Sequence, residues 1–360
     1  MIKVLVAEDS PASAQLIEGI LSSDEGIEVV GIATDGQSAI SEIERLNPDL
    51  VIMDIHMPRL DGFQATRAIM EKHPIPIVIV SSSFDESDTE KTFKALEAGA
   101  LMVMRKPRGM TSRDFPDDSR KLINMVKTMS EVPVIRRYSR IGAPDPILLT
   151  TDDPAEFGTP TIVAIGASTG GPPVIKTILS ALPRTFPAPI LIVQHIAIGF
   201  TEGFVAWIAS TTDLPGGLAQ QGELMLPGHV YFAPDHVHLL AQKDGRIGLS
   251  RDAPVNGLRP SVARLFGSVA ENYGSGAIGI LLSGMGDDGA RELLALRTAG
   301  AMTVAQDEES CAVFGMPGAA VMLGAVRYVL SPVGIAQLLI QCAAPRRPTD
   351  PGARVRSEHG

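Results

Sequence analysis

The stretch Thr161–Gly171, TIVAIGASTGG, runs from an apolar segment straight into a glycine-rich turn, and its reading decides the fold. Aliphatic side chains without polar alternation mark a strand buried on both faces, the kind that belongs to a parallel sheet. Pro172 and Pro173 stand where a first helical turn tolerates proline, so PPVIKTILSALP reads as a helix opening directly after the turn. Strand, glycine turn and helix form one unit of a doubly wound α/β sheet, in which all parallel strands expose their carboxyl ends along one edge. Ser168 sits in that turn. A serine held there is sterically open to attack a carbonyl, provided a histidine takes its proton.

Two further apolar runs supply the partners. PILIVQ ends in His195, and AIGILLSGMGDDG delivers Asp287 and Asp288 just past its last apolar residue. Serine, histidine and aspartate at three strand ends can converge on one edge although they lie far apart in the chain. Backbone N–H groups at the start of the helix after Ser168 face that edge and can hold an oxyanion. A nucleotide-binding loop is the competing reading of the turn. It fails because G-A-S-T-G-G replaces G-x-G-x-x-G and the second strand ends in Gln194-His195 rather than an acid.

The N-terminal part carries a second constellation. KVLVAEDS puts Glu8 and Asp9 at one strand end, DLVIMD puts Asp54 at another, PIVIVS ends in Ser81, and ALMVMRKP gives Lys106 before Pro107. The segments SAQLIEGILSS, GQSAISEIERL, GFQATRAIMEK and TEKTFKALEAG separate these strands with helical periodicity, again a doubly wound parallel sheet. Oxygen-only ligation by Glu8, Asp9 and Asp54 suits Mg²⁺. Asp54 is then a nucleophile for a phosphoryl group, with Lys106 neutralising developing charge and Ser81 bonding a phosphoryl oxygen.

Composition sets limits on this reading. The 360 residues are 45% hydrophobic, enough for two cores, and the net charge of −10 argues against general nucleic-acid binding. MIKVLVAEDS is too short an apolar start for a signal peptide and no run reaches the ~18 residues of a membrane span, so a cytoplasmic protein without membrane insertion is expected. Cys311 and Cys342 have no C-x-x-C partner and are expected to stay reduced. His236 and His238 alternate along HVHLLA and read as one polar strand face rather than a metal pair, with His229 as polarity at a strand entry. PDDSRKLINMVKTMSE reads as the helix completing the first domain. From there to Gly158 proline, glycine and acids break any periodicity, with Arg136, Arg137 and Arg140 as a solvated basic cluster.

The acidic pair Glu8-Asp9, Asp54 in DIHMPRLDG, Ser81 and Lys106-Pro107 together resemble a response-regulator receiver domain. GASTGG, VQHIAIGFTEGF, APVNGLRPSVARLF, LLSGMGDDGA and AQDEESCAVFGMP resemble the catalytic domain of the chemotaxis-type protein-glutamate methylesterases. The resemblance implies a flavodoxin-like receiver over residues 1–131, a linker over 132–158, a Rossmann-like methylesterase domain over 159–345 and a polar tail over 346–360. It implies hydrolysis of glutamyl methyl esters, with deamidation of glutamines, on the cytoplasmic helices of chemoreceptors. A histidine kinase would supply the phosphoryl group. Ser168 would be the nucleophile, His195 the base and acid, Asp288 the residue orienting the imidazole, and the amides of Thr169 and Met285 the oxyanion donors. The esterase site would need no cofactor, and the unphosphorylated receiver would pack across it.

Two positions depart from the pattern. His56 stands two residues after Asp54 where these esterases commonly carry an acid, and Val103 stands where receivers often carry a switching aromatic. Two other readings differ in function: an esterase acting on a protein outside chemotaxis, and a catalytically silent module that docks on phosphorylation.

Overall fold

The computed structural model describes residues 1–81, 86–132, 134, 147–148 and 157–343. Most of the expected linker, including Arg136, Arg137 and Arg140, and the whole expected tail 346–360 lie outside the described residues.

Strands β1 (Ile2–Ala7), β2 (Ile27–Ala33), β3 (Leu50–Asp54), β4 (Ile77–Ser81) and β5 (Met102–Arg105) form a sheet in the order β2-β1-β3-β4-β5. Every pairing in it is parallel. Helices α1 (Pro11–Leu21), α2 (Gly36–Leu46), α3 (Gly62–Lys72), α4 (Glu86–Ala98) and α5 (Phe115–Met129) fill the connections. Local chemistry sets their limits. The Asp35 side chain accepts the Ser38 N–H at 2.9 Å to start α2, Asn47 at φ 44° closes it, and Asp61 with Gln64 forms a capping box on α3. The strand order turns back between β1 and β3, which brings Glu8, Asp9 and Asp54 to one crevice.

The second sheet begins with β6 (Ile147–Leu148), followed by β7 (Ile162–Ala167), β8 (Ile190–Gln194), β9 (Gly216–Leu218) and β10 (Val230–Phe232). An antiparallel hairpin of β11 (His238–Ala241) and β12 (Ile247–Ser250) stands apart from it, and β13 (Ala277–Leu281), β14 (Met302–Gln306) and β15 (Tyr328–Leu330) complete it. The order is β6-β15-β14-β13-β7-β8-β10-β9, parallel throughout except for β6. Ile147–Leu148 thus forms an edge strand inside the stretch read as linker. Helices α6 (Gly171–Ala181), α7 (Thr201–Thr211), α8 (Val262–Tyr273), α9 (Ala290–Thr298), α10 (Met316–Met322) and α11 (Pro332–Ala343) cover the faces. The chain leaves β7 toward β8 on one side and returns to its other side through β13, so the ends of β7 and β13 flank the switch point.

His236 and His238 do not share a polar face as expected. His236 lies before β11 with φ 65°, and His238 is fully buried, its Nε2 3.2 Å from the Ala253 carbonyl and its Nδ1 3.3 Å from the Ser261 N–H. A histidine with both ring nitrogens satisfied can be buried at small cost. His229 precedes β10, as read from the sequence. Among the described residues no helix is long and apolar enough to cross a membrane.

The two sheets meet. Phe93 of α4 is fully buried and stacks on Trp207 of α7 with centroids 5.1 Å apart and planes at 18°. Lys176 of α6 pairs with Glu97 of α4 and lies 5.3 Å from the Trp207 ring centroid.

Candidate functional site

Ser168 follows β7, His195 follows β8 and Asp288 follows β13, and the first two are positioned by main-chain bonds between neighbouring strand ends. The Ser168 N–H donates to the Ser283 carbonyl at 2.9 Å, and the His195 N–H donates to the Ala167 carbonyl at 2.9 Å. His195 Nε2 lies 3.0 Å from Asp288 Oδ2, close enough for an ion pair although not aligned as a hydrogen bond. Asp287 is exposed, so of the two adjacent acids Asp288 meets the imidazole.

Asp288 is held by a feature the sequence reading missed. Its Oδ2 accepts the Val262 N–H at 2.7 Å and its Oδ1 accepts the Ala263 N–H at 3.1 Å, the first two amides of α8. A helix N-terminus has unpaired N–H groups and a favourable dipole for an anion, so the buried carboxylate keeps its oxygens satisfied while it faces His195. Burial raises the Glu292 carboxyl of α9 above its ordinary value, and the charges of Asp288 and Asp287 raise it further.

The turn itself is fastened from behind. The Ser283 hydroxyl donates to the Thr169 carbonyl at 2.7 Å and accepts the Val313 N–H at 3.0 Å, while its own N–H donates to Gln306 Oε1 at 2.8 Å. Gly170 has φ 76°, and a Cβ there would come within 2.4 Å of Ala312, so only glycine suits this position. Among the described residues, no protein acceptor takes the N–H of Thr169 or of Met285. Both remain available to bind a negative oxygen.

Ser168, Thr169, Gln194 and His195 line a cleft of about 260 Å³ whose other wall is Leu96, Leu101, Met102 and Val103 of the N-terminal half. The Gly170 N–H donates to the Leu101 carbonyl at 3.3 Å across this boundary. A larger cavity of about 610 Å³, between α7 and the β9–β10 edge, includes none of Ser168, His195 or Asp288. Size does not mark the chemistry in this molecule.

In the first sheet, Glu8, Asp9 and Asp54 bring carboxylate oxygens within 4.8 Å of one another. Lys106 Nζ reaches Glu8 Oε2 at 2.8 Å and Asp54 Oδ2 at 2.7 Å, and the Lys106 N–H donates to the Ser81 carbonyl at 2.9 Å. Burial, with the charge of Asp54, raises the Glu8 carboxyl; the two carboxylates outweigh burial and raise the Lys106 ammonium. One ammonium leaves three carboxylates under-compensated, and an all-oxygen set of this kind fits a hard divalent cation. His56 is partly buried, and Val103 is buried in the wall of the cleft.

Comparison with known proteins agrees with both halves. Residues 4–112 match the response regulator receiver domain and residues 163–339 match the CheB methylesterase family. The chain is 49% identical to a protein-glutamate methylesterase/protein-glutamine glutaminase of Syntrophus aciditrophicus over 347 residues, covering 95% of this chain and 99% of that protein. It is 48% identical to a protein of the same name from Nitrosospira multiformis, covering 98% and 100%. The chain belongs to the CheB methylesterase family. Among solved structures, the Thermotoga maritima CheB methylesterase catalytic domain matches with 39% identity, 51% of this chain, 98% of that chain and a TM-score of 0.49.

Sequence reasoning named Ser168, His195, Asp288, Thr169, Met285, Glu8, Asp9, Asp54, Ser81 and Lys106. It missed Ser283, the α8 amides and Gln194. The α8 start was recoverable, since Ser261 before VARLF is an N-cap signature. Nothing in the sequence said that the helix would aim at Asp288.

Proposed function

We propose that this chain is a phosphorylation-controlled protein-glutamate methylesterase and glutamine deamidase acting on chemoreceptor cytoplasmic helices. The observation that carries the reading is the meeting of Ser168, His195 and Asp288 at the switch point of the second sheet, under a wall supplied by the receiver. Ser168 Oγ attacks the γ-carbonyl carbon of the substrate while His195 takes its proton, and the oxyanion forms facing the Thr169 and Met285 amides. Collapse expels methanol, or ammonia from an amide, with the proton returned by His195. Water deprotonated through His195 then releases the glutamate, and Ser168 regains its proton. Asp288, held by α8, orients the imidazole and balances its charge.

In the receiver, Asp54 accepts the phosphoryl group of a histidine kinase or a small phosphodonor. Glu8, Asp9 and Asp54 would hold Mg²⁺, which supplies charge neutralisation for phosphoryl transfer. Lys106 already contacts Asp54 and is placed to follow the phosphoryl oxygens, with Ser81 at the neighbouring strand end. The enzyme acts in the cytoplasm, where receptor tails and kinases are found. The names of the relatives speak against a silent docking module.

The test is methanol release from methylated receptor cytoplasmic fragments, with and without phosphodonor and Mg²⁺. Ser168→Ala is expected to abolish release while the protein stays folded, and His195→Ala to do nearly the same. Their combination is expected to be little worse than either alone, because members of one unit are non-additive. Substantial turnover by purified Ser168→Ala rules this site out.

A further inference from the structure

Gln194, the last residue of β8, is more than nine-tenths buried, and its amide points at the nucleophile turn. Its Nε2 donates to the Ser168 carbonyl at 2.8 Å and to the His195 carbonyl at 2.8 Å. Two carbonyl acceptors fix the orientation of the amide, since only the NH₂ end can serve both. The Oε1 end is left buried with no protein partner among the described residues, pressed toward Gly171, where a Cβ would stand 2.3 Å from it. Burying an unpaired carbonyl oxygen is costly, and an apolar side chain at this strand end would avoid that cost. The two donated bonds are what the buried amide supplies in return.

One of those bonds acts on the Ser168–Thr169 peptide. A trans peptide is planar, so its C=O and N–H point in opposite directions. The Ser168 C=O is held from behind by Gln194 and by the Gly171 N–H at 2.9 Å, which directs the Thr169 N–H away from them, and Thr169 lines the cleft with Ser168 and His195. Donation to a peptide carbonyl also polarises that peptide and strengthens its N–H as a donor. The same NH₂ group pins the peptide after His195, whose own N–H is tied to β7. We infer that Gln194 is a positioning residue for catalysis: its amide locks the Ser168–Thr169 peptide so that the Thr169 N–H faces the developing oxyanion, and it holds the main chain of the base in the same grip. The inference rests on the proposed serine esterase reading.

The experiment uses the full-length protein with phosphodonor and Mg²⁺. Gln194→Met keeps the volume and removes both donors; Gln194→Glu keeps the shape and, when ionised, only accepts. Both are expected to lower kcat for methanol release about 10- to 100-fold, the scale of a slightly misplaced or weakened oxyanion donor. KM is expected to change by less than about threefold, since an interaction realised only in the transition state leaves ground-state binding alone. Labelling of Ser168 by a fluorophosphonate, whose adduct carries an oxygen in the oxyanion position, is expected to slow by a similar factor at an unchanged melting temperature. A kcat within twofold of wild type in folded Gln194→Met overturns the inference. So does loss of fold in both variants, or a fall in kcat matched by a rise in KM and a lower melting temperature, because Gln194 would then be structural only. Ser168→Ala measured alongside separates the two readings: if it retains turnover, the serine mechanism itself is wrong, whatever Gln194 does.

Discussion

Ser283 shows how much of a catalytic turn depends on a side chain that never meets substrate. Its hydroxyl is the only donor found for the buried Thr169 carbonyl among the described residues and accepts the part-buried Val313 N–H, so Ser283→Ala strands both backbone groups at once. Each unsatisfied group costs about 1–3 kcal/mol, so calorimetry or denaturant titration is expected to show a loss of at least that size. Glu292 gives a pH-dependent case. Its folded carboxyl titrates above the ordinary value of 4.5, so above that pH the native state binds more protons than the unfolded one, and stability falls as pH rises through the window up to the folded value. Glu292→Gln is expected to melt higher than wild type at pH 7, the difference disappearing near pH 4; a variant that melts lower at pH 7 contradicts this. The two thiols differ in kind. Burial pushes Cys342 up to about 11, whereas Cys311 is only partly buried. At pH 8 a thiol reagent is expected to modify Cys311 in the native protein and Cys342 only on unfolding, read by mass spectrometry.

At the scale of elements, strands were the most legible part of the sequence, because unbroken apolar runs such as PILIVQ have no other place to go than a two-sided sheet. Helices α2 and α3 were found on the same residues as their amphipathic segments, since a capping aspartate and a helical period agree there. Strand-end chemistry followed from those strands, which is why Ser168, His195 and Asp54 could be named without coordinates. What could not be read were the contacts between elements distant in sequence. HVHLLA looked like an alternating polar face, yet the left-handed turn at His236 and the α8 cap at Ser261 turn His238 inward. The α8 N-terminus was equally invisible as a carboxylate holder. It reaches Asp288 because two glycines allow it: a Cβ on Gly166 would lie 2.3 Å from Val262 Cγ1, and one on Gly289 2.4 Å from the same atom. Gly166→Ala, in an ordinary strand conformation, is thus expected to displace Val262 and with it the grip on Asp288. The expected reading is a loss of kcat of about 10-fold or more with the fold retained by circular dichroism.

On the scale of the whole molecule, the decisive fact is which face of the receiver meets the esterase domain. It is the α4–β5 face, with Phe93 against Phe204 and Trp207, Glu97 against Lys176, and the Leu101 carbonyl on the Gly170 amide of the nucleophile turn. Leu96, Leu101 and Val103 line the cleft that holds Ser168 and His195, so on the proposed reading the docked receiver stands in the way of a helix-sized substrate. Phosphorylation of Asp54 can open it only if the undocked state binds the phosphoryl group more tightly than the docked one, since equal affinity shifts nothing. The link lies close at hand: Lys106 is bonded to Asp54 and follows β5, the strand whose Met102 and Val103 form the wall. Val103 carries no ring to rotate, so on the proposed reading the β5 backbone and Ser81 are the route left for the signal. Loosening the contact without touching the triad isolates this step. Phe93→Ala removes an aromatic anchor of the kind that dominates interfaces, worth about 2 kcal/mol or more, or a shift of roughly 30-fold in the docking equilibrium. Unphosphorylated Phe93→Ala is therefore expected to release methanol faster than unphosphorylated wild type, with little further gain from phosphodonor. The fragment from Thr159 onward is expected to be faster still and indifferent to phosphodonor. If neither exceeds unphosphorylated wild type, the receiver does not act by covering the site, and its control of the enzyme must lie in bringing it to its substrate.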